Sequence, residues 1–114
     1  MVHTELLPAP WEEILRKAWD ITDDADVRWL VARLGPQSFK TMTEPVRRTN
    51  PAAAWLPRTF IRCTHDPRSD SPLESAAQIA RAPGSGWRYR ELATGHDAMV
   101  TAPRELADLL LEVV

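Results

Sequence analysis

Two segments of the sequence decide the fold: TFIRCTHD at residues 59–66 and WRYRELATGHD at residues 87–97. Each opens with a short run that is typical of a β-strand and continues into a polar loop. The first loop contains Asp66 and the second contains His96. The second strand alternates between aromatic and charged residues, which favours a position near the edge of a sheet over a fully buried one.

The residues between these segments predict a crossover helix. Ser71-Pro72-Leu73-Glu74 is typical of a helix start, because the serine can cap the third helical amide, the glutamate can reach back to the serine amide, and the proline fits the first helical position. Pro83-Gly84-Ser85-Gly86 would end this helix. A strand, a helix and a second strand favour a parallel pair with a right-handed crossover. The apolar face of the helix comprises Leu73, Ala76, Ala77 and Ala80.

The chain upstream of residue 58 has the spacing of short helices. Thr22-Asp23-Asp24 can cap a helix that Gly35-Pro36 would end. A short turn is expected around Phe39 and Met42, and a proline-rich connector at residues 44–58 includes a brief turn over Ala52-Ala53-Ala54-Trp55. Apolar residues recur at helical intervals in two groups, Trp11, Ile14, Leu15, Ala18 and Trp19, then Val27, Leu30, Val31 and Leu34.

A last helix is expected from near Thr101, with Pro103 in its first turn. Its apolar stripe comprises Leu106, Leu109, Leu110 and Val113. The sequence therefore predicts an α/β protein in which a helical segment and connector, residues 1–57, precede a β-α-β-α unit with a parallel strand pair, residues 58–114.

Composition excludes several classes of protein. A chain of 114 residues suits one domain, and its five tryptophans are more than a disordered chain would carry. A net charge of −2 without a basic run argues against nucleic acid as a partner. Cys63 is the single cysteine, which excludes an internal disulfide and favours a small buried apolar role. Because neither a signal peptide nor an apolar run of spanning length is present, we expect a cytoplasmic protein without a membrane partner.

Asp66 and His96 are the candidate site residues. The carboxyl ends of parallel strands meet at one edge of a sheet, so the loops that follow them should lie together. A carboxylate can accept a hydrogen bond from imidazole Nδ1–H, which leaves Nε2 able to take a proton. The alternative for each residue is structural, namely a turn aspartate before Pro67 and a solvated histidine after Gly95.

Other polar residues offer weaker alternatives. Asp70 is a second candidate for the acid, whereas Asp97 is expected to be a loop or helix-entry residue. His65, Asp66 and His96 do not have the spacing of a metal site, so the sequence predicts neither a metal nor a cofactor. The tryptophans at helical spacing, Trp11, Trp19 and Trp29, are expected to be packing residues.

Residues 58–114 resemble the C-terminal part of an α/β-hydrolase. The matching segments are residues 59–66, residues 91–99 (ELATGHDAM) and residues 101–110 (TAPRELADLL), the last of which is similar to the family's closing helix. The resemblance is closest to the branch of plant methylesterases and hydroxynitrile lyases with their bacterial esterase-like relatives.

The resemblance implies roles for individual residues. In that family the acid and then the histidine follow the last strands of the sheet, which implies that Asp66 is the triad acid and His96 the triad base. Residues 10–45 resemble the family's helical cap, which implies that Trp29 or Phe39 lines a substrate pocket. The resemblance as a whole implies a partial α/β-hydrolase fold.

One part of the family pattern is missing from this sequence. The family's order is nucleophile, acid and histidine, with the serine in Gly-x-Ser-x-Gly. Ser85 lies between Gly84 and Gly86, but Pro83 stands where the first glycine of the motif would be, and this segment leads from a helix into a strand. The remaining serines that could be considered, Ser38, Ser69, Ser71 and Ser75, have no such context either.

Two functions are therefore expected. The first is an esterase-like protein of serine-hydrolase ancestry, truncated and inactive alone because the nucleophile and the oxyanion donors are missing. If complemented, it would act on a small ester-like molecule, with His96 as base and Asp66 as its orienter. The alternative is a non-catalytic interaction protein that forms a homodimer or complements a separate N-terminal hydrolase half.

Overall fold

A computed structural model of the chain describes residues 6–7, 10–67 and 71–114. The elements before residue 58 are short. In chain order they are β1 (Leu6–Leu7), α1 (Trp11–Glu13), a π-helical turn (Ile14–Ala18), α2 (Asp24–Val31), β2 (Gln37–Ser38), α3 (Lys40–Thr43) and a 3₁₀ turn (Pro51–Trp55). The two predicted helices and both predicted turns are present. The antiparallel β1–β2 pair was not predicted, because strands of two residues are too short to reveal an alternating pattern.

The second part of the chain contains the parallel sheet. Its elements are β3 (Arg58–Cys63), α4 (Pro72–Arg81), β4 (Trp87–Leu92), α5 (Ala98–Thr101) and α6 (Pro103–Val113). β3 and β4 run parallel, with Arg58 opposite Trp87 and Cys63 opposite Leu92. The predicted mixture of helices and strands with a parallel two-stranded sheet is confirmed. Among the described residues, no helix is long and apolar enough to cross a membrane.

Helix α4 lies against one face of this sheet. On that face the Phe60 and Tyr89 rings stack across the two strands, with centroids 6.3 Å apart. The Arg81 guanidinium of α4 lies over the Tyr89 ring at 5.8 Å. Side chains alternate between the faces of a strand, so the neighbours of Tyr89 point to the other face, where Arg90 pairs with Glu112 of α6 at 3.0 Å. The sheet therefore lies between two helices.

The best-packed core lies in the helical segment rather than at the sheet. Its buried cluster comprises Leu15, Ile21, Val27 and Leu30, with Trp19, Leu34 and Val100 packed partly against it. Val100 belongs to α5, which follows the loop that carries His96. The helical segment is therefore packed against the loop region at the end of the sheet.

Neither of the described strands β3 and β4 contains a buried residue. Ala77 and Ala80 of α4 and Leu109 of α6 are buried. Leu73 and Leu110, which the sequence placed in the apolar stripes of these helices, are exposed instead. The stripes are only half covered because a sheet of two strands is too narrow to bury the full width of two helices.

The helix start at Ser71 differs from its prediction. Pro72 occupies the first helical position as expected, but the Ser71 side chain makes no capping hydrogen bond. The Glu74 carboxylate, predicted to reach back to Ser71, lies 2.7 Å from the Arg62 guanidinium of β3. The predicted reciprocal cap is therefore wrong, because a cation on the neighbouring strand competes successfully for the carboxylate.

Candidate functional site

Backbone hydrogen bonds join the two loops that follow β3 and β4. The Thr64 N–H donates to the Leu92 carbonyl at 2.8 Å, and the His65 N–H donates to the Thr94 carbonyl at 3.0 Å. The pairing of the parallel strands thus continues past their carboxyl ends. Because of these bonds, the two loops lie side by side at the carboxyl ends of the two strands.

The two predicted site residues meet across these loops. His96 Nδ1 lies 3.2 Å from Asp66 Oδ2. The Asp66 side chain is 15% exposed and that of His96 is 30% exposed, so water is partly excluded from the pair. Because an ionised carboxylate only accepts hydrogen bonds, this geometry assigns the proton of the neutral imidazole to Nδ1. The arrangement can take up a proton at Nε2 while the carboxylate stabilises the imidazolium.

The turn at Trp19 and Asp20, in the helical segment, contacts the loop that contains Gly95 and His96. The His96 N–H donates to the Trp19 carbonyl at 2.9 Å. The indole and imidazole rings are in contact, with centroids 5.0 Å apart. A Cβ atom on Gly95 would lie 2.5 Å from the Trp19 carbonyl oxygen and 2.9 Å from that of Asp20. The sequence suggested only a packing role for Trp19, since no local pattern relates it to a loop far along the chain.

A cleft of ≈ 240 Å³ opens beside the Asp66–His96 pair. Four successive residues of β3 line it, so the cleft runs along the outer edge of the strand rather than over one face. Arg62 and Glu74 form their ion pair in its wall, and the pKa of Arg62 is raised by its hydrogen bond to Tyr89 and by the charge of Glu74. Among the described residues, the lining comprises Phe60, Ile61, Arg62, Cys63, Asp66, Ser71, Leu73, Glu74 and His96.

The residues that the cap resemblance placed in a substrate pocket do not line this cleft. Phe39 is 44% exposed, and Trp29 lies at a different groove, beside Met99 and Val100. Helix α2 turns Val27 and Leu30 into the buried cluster, which leaves Trp29 on its outer face with the Arg33 guanidinium 4.2 Å from its ring centroid. Neither aromatic residue therefore lines the cleft beside Asp66 and His96, and their implied role in a substrate pocket stays a prediction.

Cys63 is half-buried in the wall of the cleft. Burial raises the pKa of its thiol, and the negative charges of Asp66 and Asp97 raise it further. The thiol is therefore protonated at neutral pH, which is the opposite of what a cysteine nucleophile needs. The predicted burial of this residue is only partial.

Two of the remaining polar candidates, Ser85 and Asp97, take part in a turn and a helix start. Ser85 Oγ donates to the Ala80 carbonyl at 2.9 Å and accepts from the Trp87 N–H at 3.1 Å, so it closes the turn between α4 and β4. Asp97 precedes α5, as expected for a helix-entry residue. Asp70, the second candidate for the acid, lies outside the described residues. Within the described ranges, no group of three or more His, Cys, Asp or Glu side chains could hold a metal ion.

The site thus consists of a histidine–carboxylate pair at the carboxyl ends of two parallel strands, a cleft along the edge of β3, and an indole against the imidazole. Its polar pair was predicted from the sequence, and its aromatic contact was not. Comparisons of the chain with protein-family models, with curated proteins and with solved structures gave no match.

Proposed function

We propose that this chain supplies the acid–base part of an esterase-like α/β-hydrolase site. His96 is the general base and Asp66 orients it, while the nucleophile and the oxyanion donors come from polypeptide outside this sequence. Residues 58–114 would form the C-terminal part of the hydrolase core, and residues 1–57 the cap and connector. The substrate class is a small carboxylic ester.

One observation carries this proposal: the 3.2 Å contact between His96 Nδ1 and Asp66 Oδ2. The two residues are 30 positions apart, and they meet at the strand ends where ligands of parallel sheets bind. The cleft beside them has both apolar and polar walls, as a small-molecule site requires. The resemblance of residues 91–110 to the end of a hydrolase gives the pair its proposed role.

The chain itself offers no activated nucleophile in the described residues. Ser85 is committed to the turn before β4, and the Cys63 thiol is protonated at neutral pH. Acyl transfer needs an activated nucleophile and donors that stabilise the oxyanion. The chain alone should therefore turn over simple esters no faster than solvent does.

The test joins this chain to the polypeptide encoded directly upstream, if that contains Gly-x-Ser-x-Gly. The joined protein should hydrolyse an aryl ester, and His96→Ala should lower kcat about 10²- to 10⁴-fold. His65→Ala is the matched control, because His65 is exposed and contacts the strand ladder through its backbone. Equal activity of the His96→Ala protein, or clear turnover by the chain alone that His96→Ala abolishes, would contradict the proposal.

A second candidate function is a non-catalytic interaction protein, and the open outer edge of β3 favours it. Neither β3 nor β4 contains a buried residue, and no described strand pairs with the outer edge of β3. An edge of this kind is a template for pairing with another chain. The partner would be a second copy of this chain or a separate N-terminal hydrolase half.

Light scattering on the purified chain distinguishes a second copy of the chain from a separate hydrolase half as the partner. A homodimer should have twice the 12.9 kDa mass of the chain and should dissociate on dilution. Thr59→Lys places a charge on β3, the strand that would pair, and should therefore shift the monomer–dimer equilibrium toward the monomer. A stable monomer at high micromolar concentration would count against self-pairing and leave complementation as the remaining form of this function.

A further inference from the structure

We propose that Trp19 is a positioning residue for His96, and that the turn at Trp19 and Asp20 is therefore part of the site. This role rests on the proposed function, in which His96 acts as a base through Nε2. The orientation of the imidazole can be measured whether or not the chain belongs to a hydrolase. The observation behind the proposal is a double contact, since Trp19 meets His96 through both its carbonyl and its indole ring.

The backbone contact fixes the loop. The His96 N–H donates to the Trp19 carbonyl at 2.9 Å, and Gly95 has no side chain because a Cβ there would lie 2.5 Å from the same oxygen. An ordinary side chain at position 95 would push the two backbones apart. The loop can approach the turn this closely only with glycine at that position.

The ring contact restricts the imidazole itself. A half-turn of the imidazole about χ2 would exchange Nδ1 for the ring carbon opposite it and would break the hydrogen bond to Asp66. The indole lies against the imidazole with an interplanar angle of 40° and a centroid distance of 5.0 Å, so this packing opposes the rotation. Trp19 and Asp66 together hold the ring in the orientation that keeps Nδ1 toward the carboxylate.

Trp19 can act in this way because its own position is held firmly. Leu15 and Ile21, on either side of it in the chain, are both 0% exposed. The Trp19 N–H donates to the Ile14 carbonyl at 3.1 Å, which closes the π-helical turn. A second aromatic contact supports the indole, since the Trp11 ring lies 6.1 Å from it.

The backbone at this turn has features that recur at functional sites. Single π-helical turns are rare and are often found there. Asp20 has a φ of 55° and is the one non-glycine residue with a positive φ among the described residues. Conformations of this kind cost free energy and persist where the surrounding structure requires them. Here they direct the Trp19 carbonyl and indole toward the same loop.

The test measures the imidazole of His96 by NMR in the full chain labelled with ¹⁵N-histidine, at alkaline pH where imidazoles are neutral. The wild-type ring should be protonated on Nδ1. Trp19→Leu should lower the ratio of the Nδ1–H to the Nε2–H tautomer about two- to tenfold, the factor that an aromatic pair contributes. Trp19→Phe should restore most of the wild-type ratio.

Trp55→Leu is the matched control, because Trp55 is 89% exposed and lies in the 3₁₀ turn away from the site. Its tautomer ratio should equal that of the wild type. An unchanged ratio in Trp19→Leu, or an equal fall in Trp55→Leu, overturns the proposal.

A measurement on the wild-type chain covers the case in which Trp19→Leu does not fold. The ring protons of His96 should show nuclear Overhauser contacts to the Trp19 indole and a ring-current shift; their absence overturns the proposal. The experiments distinguish failure of this proposal from failure of the proposed function. If Trp19→Leu lowers the tautomer ratio but the joined protein does not hydrolyse the ester, the positioning role stands and the hydrolase function is rejected. If the joined protein hydrolyses the ester but Trp19→Leu leaves the ratio unchanged, the hydrolase function stands and the positioning role is rejected.

Discussion

Gly95 lies where the last loop of the sheet closely approaches the turn at Trp19 and Asp20 in the helical segment. Its Cα faces the carbonyl oxygens of Trp19 and Asp20, and there is no room between them for a methyl group. Gly35 provides the contrast, since a Cβ there would meet nothing within 4 Å. The two glycines therefore differ in packing, although both lie in loops.

We predict that Gly95→Ala lowers the free energy of unfolding by about 1–3 kcal/mol, because backbone must move to admit the methyl group. Gly35→Ala should leave stability unchanged or raise it by up to about 1 kcal/mol through the lower entropy of the unfolded chain. Urea denaturation of the two variants beside the wild type measures the difference. Equal effects of the two substitutions would refute the close approach at Gly95.

Cys63 gives a second prediction at the scale of one residue. Its pKa is raised above that of an unfolded cysteine, first by burial and then by Asp66 and Asp97. A raised pKa means less thiolate at each pH below it, so alkylation by iodoacetamide should be slower in the folded chain than in the urea-unfolded chain, with a higher pH midpoint. Asp66→Asn removes one negative charge and should lower the midpoint. A midpoint in the folded chain at or below that of the unfolded chain would contradict this account.

At the scale of the element, two helices begin in different ways. Asp23 precedes α2, and its side chain accepts a hydrogen bond from the Asp26 N–H at 3.4 Å. Ser71 precedes α4 without a capping hydrogen bond from its side chain, although its sequence is the more typical cap. The start of α4 is held instead by Pro72 at the first position and by the ion pair of Glu74 with Arg62.

We therefore predict that Asp23→Ala lowers the free energy of unfolding by about 1 kcal/mol, the usual value of a side-chain cap. Ser71→Ala should change it by no more than about 0.5 kcal/mol. Guanidinium denaturation followed by circular dichroism gives both values. A loss of about 1 kcal/mol in Ser71→Ala would mean that the predicted reciprocal cap forms in solution after all.

At the scale of the whole molecule, apolar surface is distributed unevenly. The buried cluster lies in the helical segment, whereas the sheet and the helices on its two faces leave large apolar side chains exposed. On α6 alone, Leu109 is 9% exposed and Leu111 is 76% exposed. Both proposed functions would use these exposed apolar side chains, because each function requires further polypeptide beside the open outer edge of β3.

The two leucines of α6 allow a matched prediction. Leu109→Ala should lower the free energy of unfolding by about 2–4 kcal/mol through lost burial and a residual cavity. Leu111→Ala should change it by no more than about 0.5 kcal/mol, because its side chain remains in water. Thermal and urea unfolding of both variants test this. If Leu111→Ala destabilises as strongly as Leu109→Ala, α6 packs with its other face against the sheet.

The sequence by itself determined the order and type of the main elements and the meeting of Asp66 with His96. Helix and strand periodicities, proline at helix starts and glycine at turns act between near neighbours, so they can be read along the chain. The juxtaposition of the two loops follows from one topological rule, because parallel strands place their carboxyl ends at the same edge.

Only the tertiary structure decided which side chains contact each other when they are distant in the sequence. Glu74 pairs with Arg62 rather than capping its own helix, and Trp29 lies away from the cleft. Trp19 contacts His96 although 77 positions separate them in the sequence. These outcomes depend on distances between residues remote along the chain, and such distances are set when the helical segment packs against the end of the sheet, a step that no local pattern encodes.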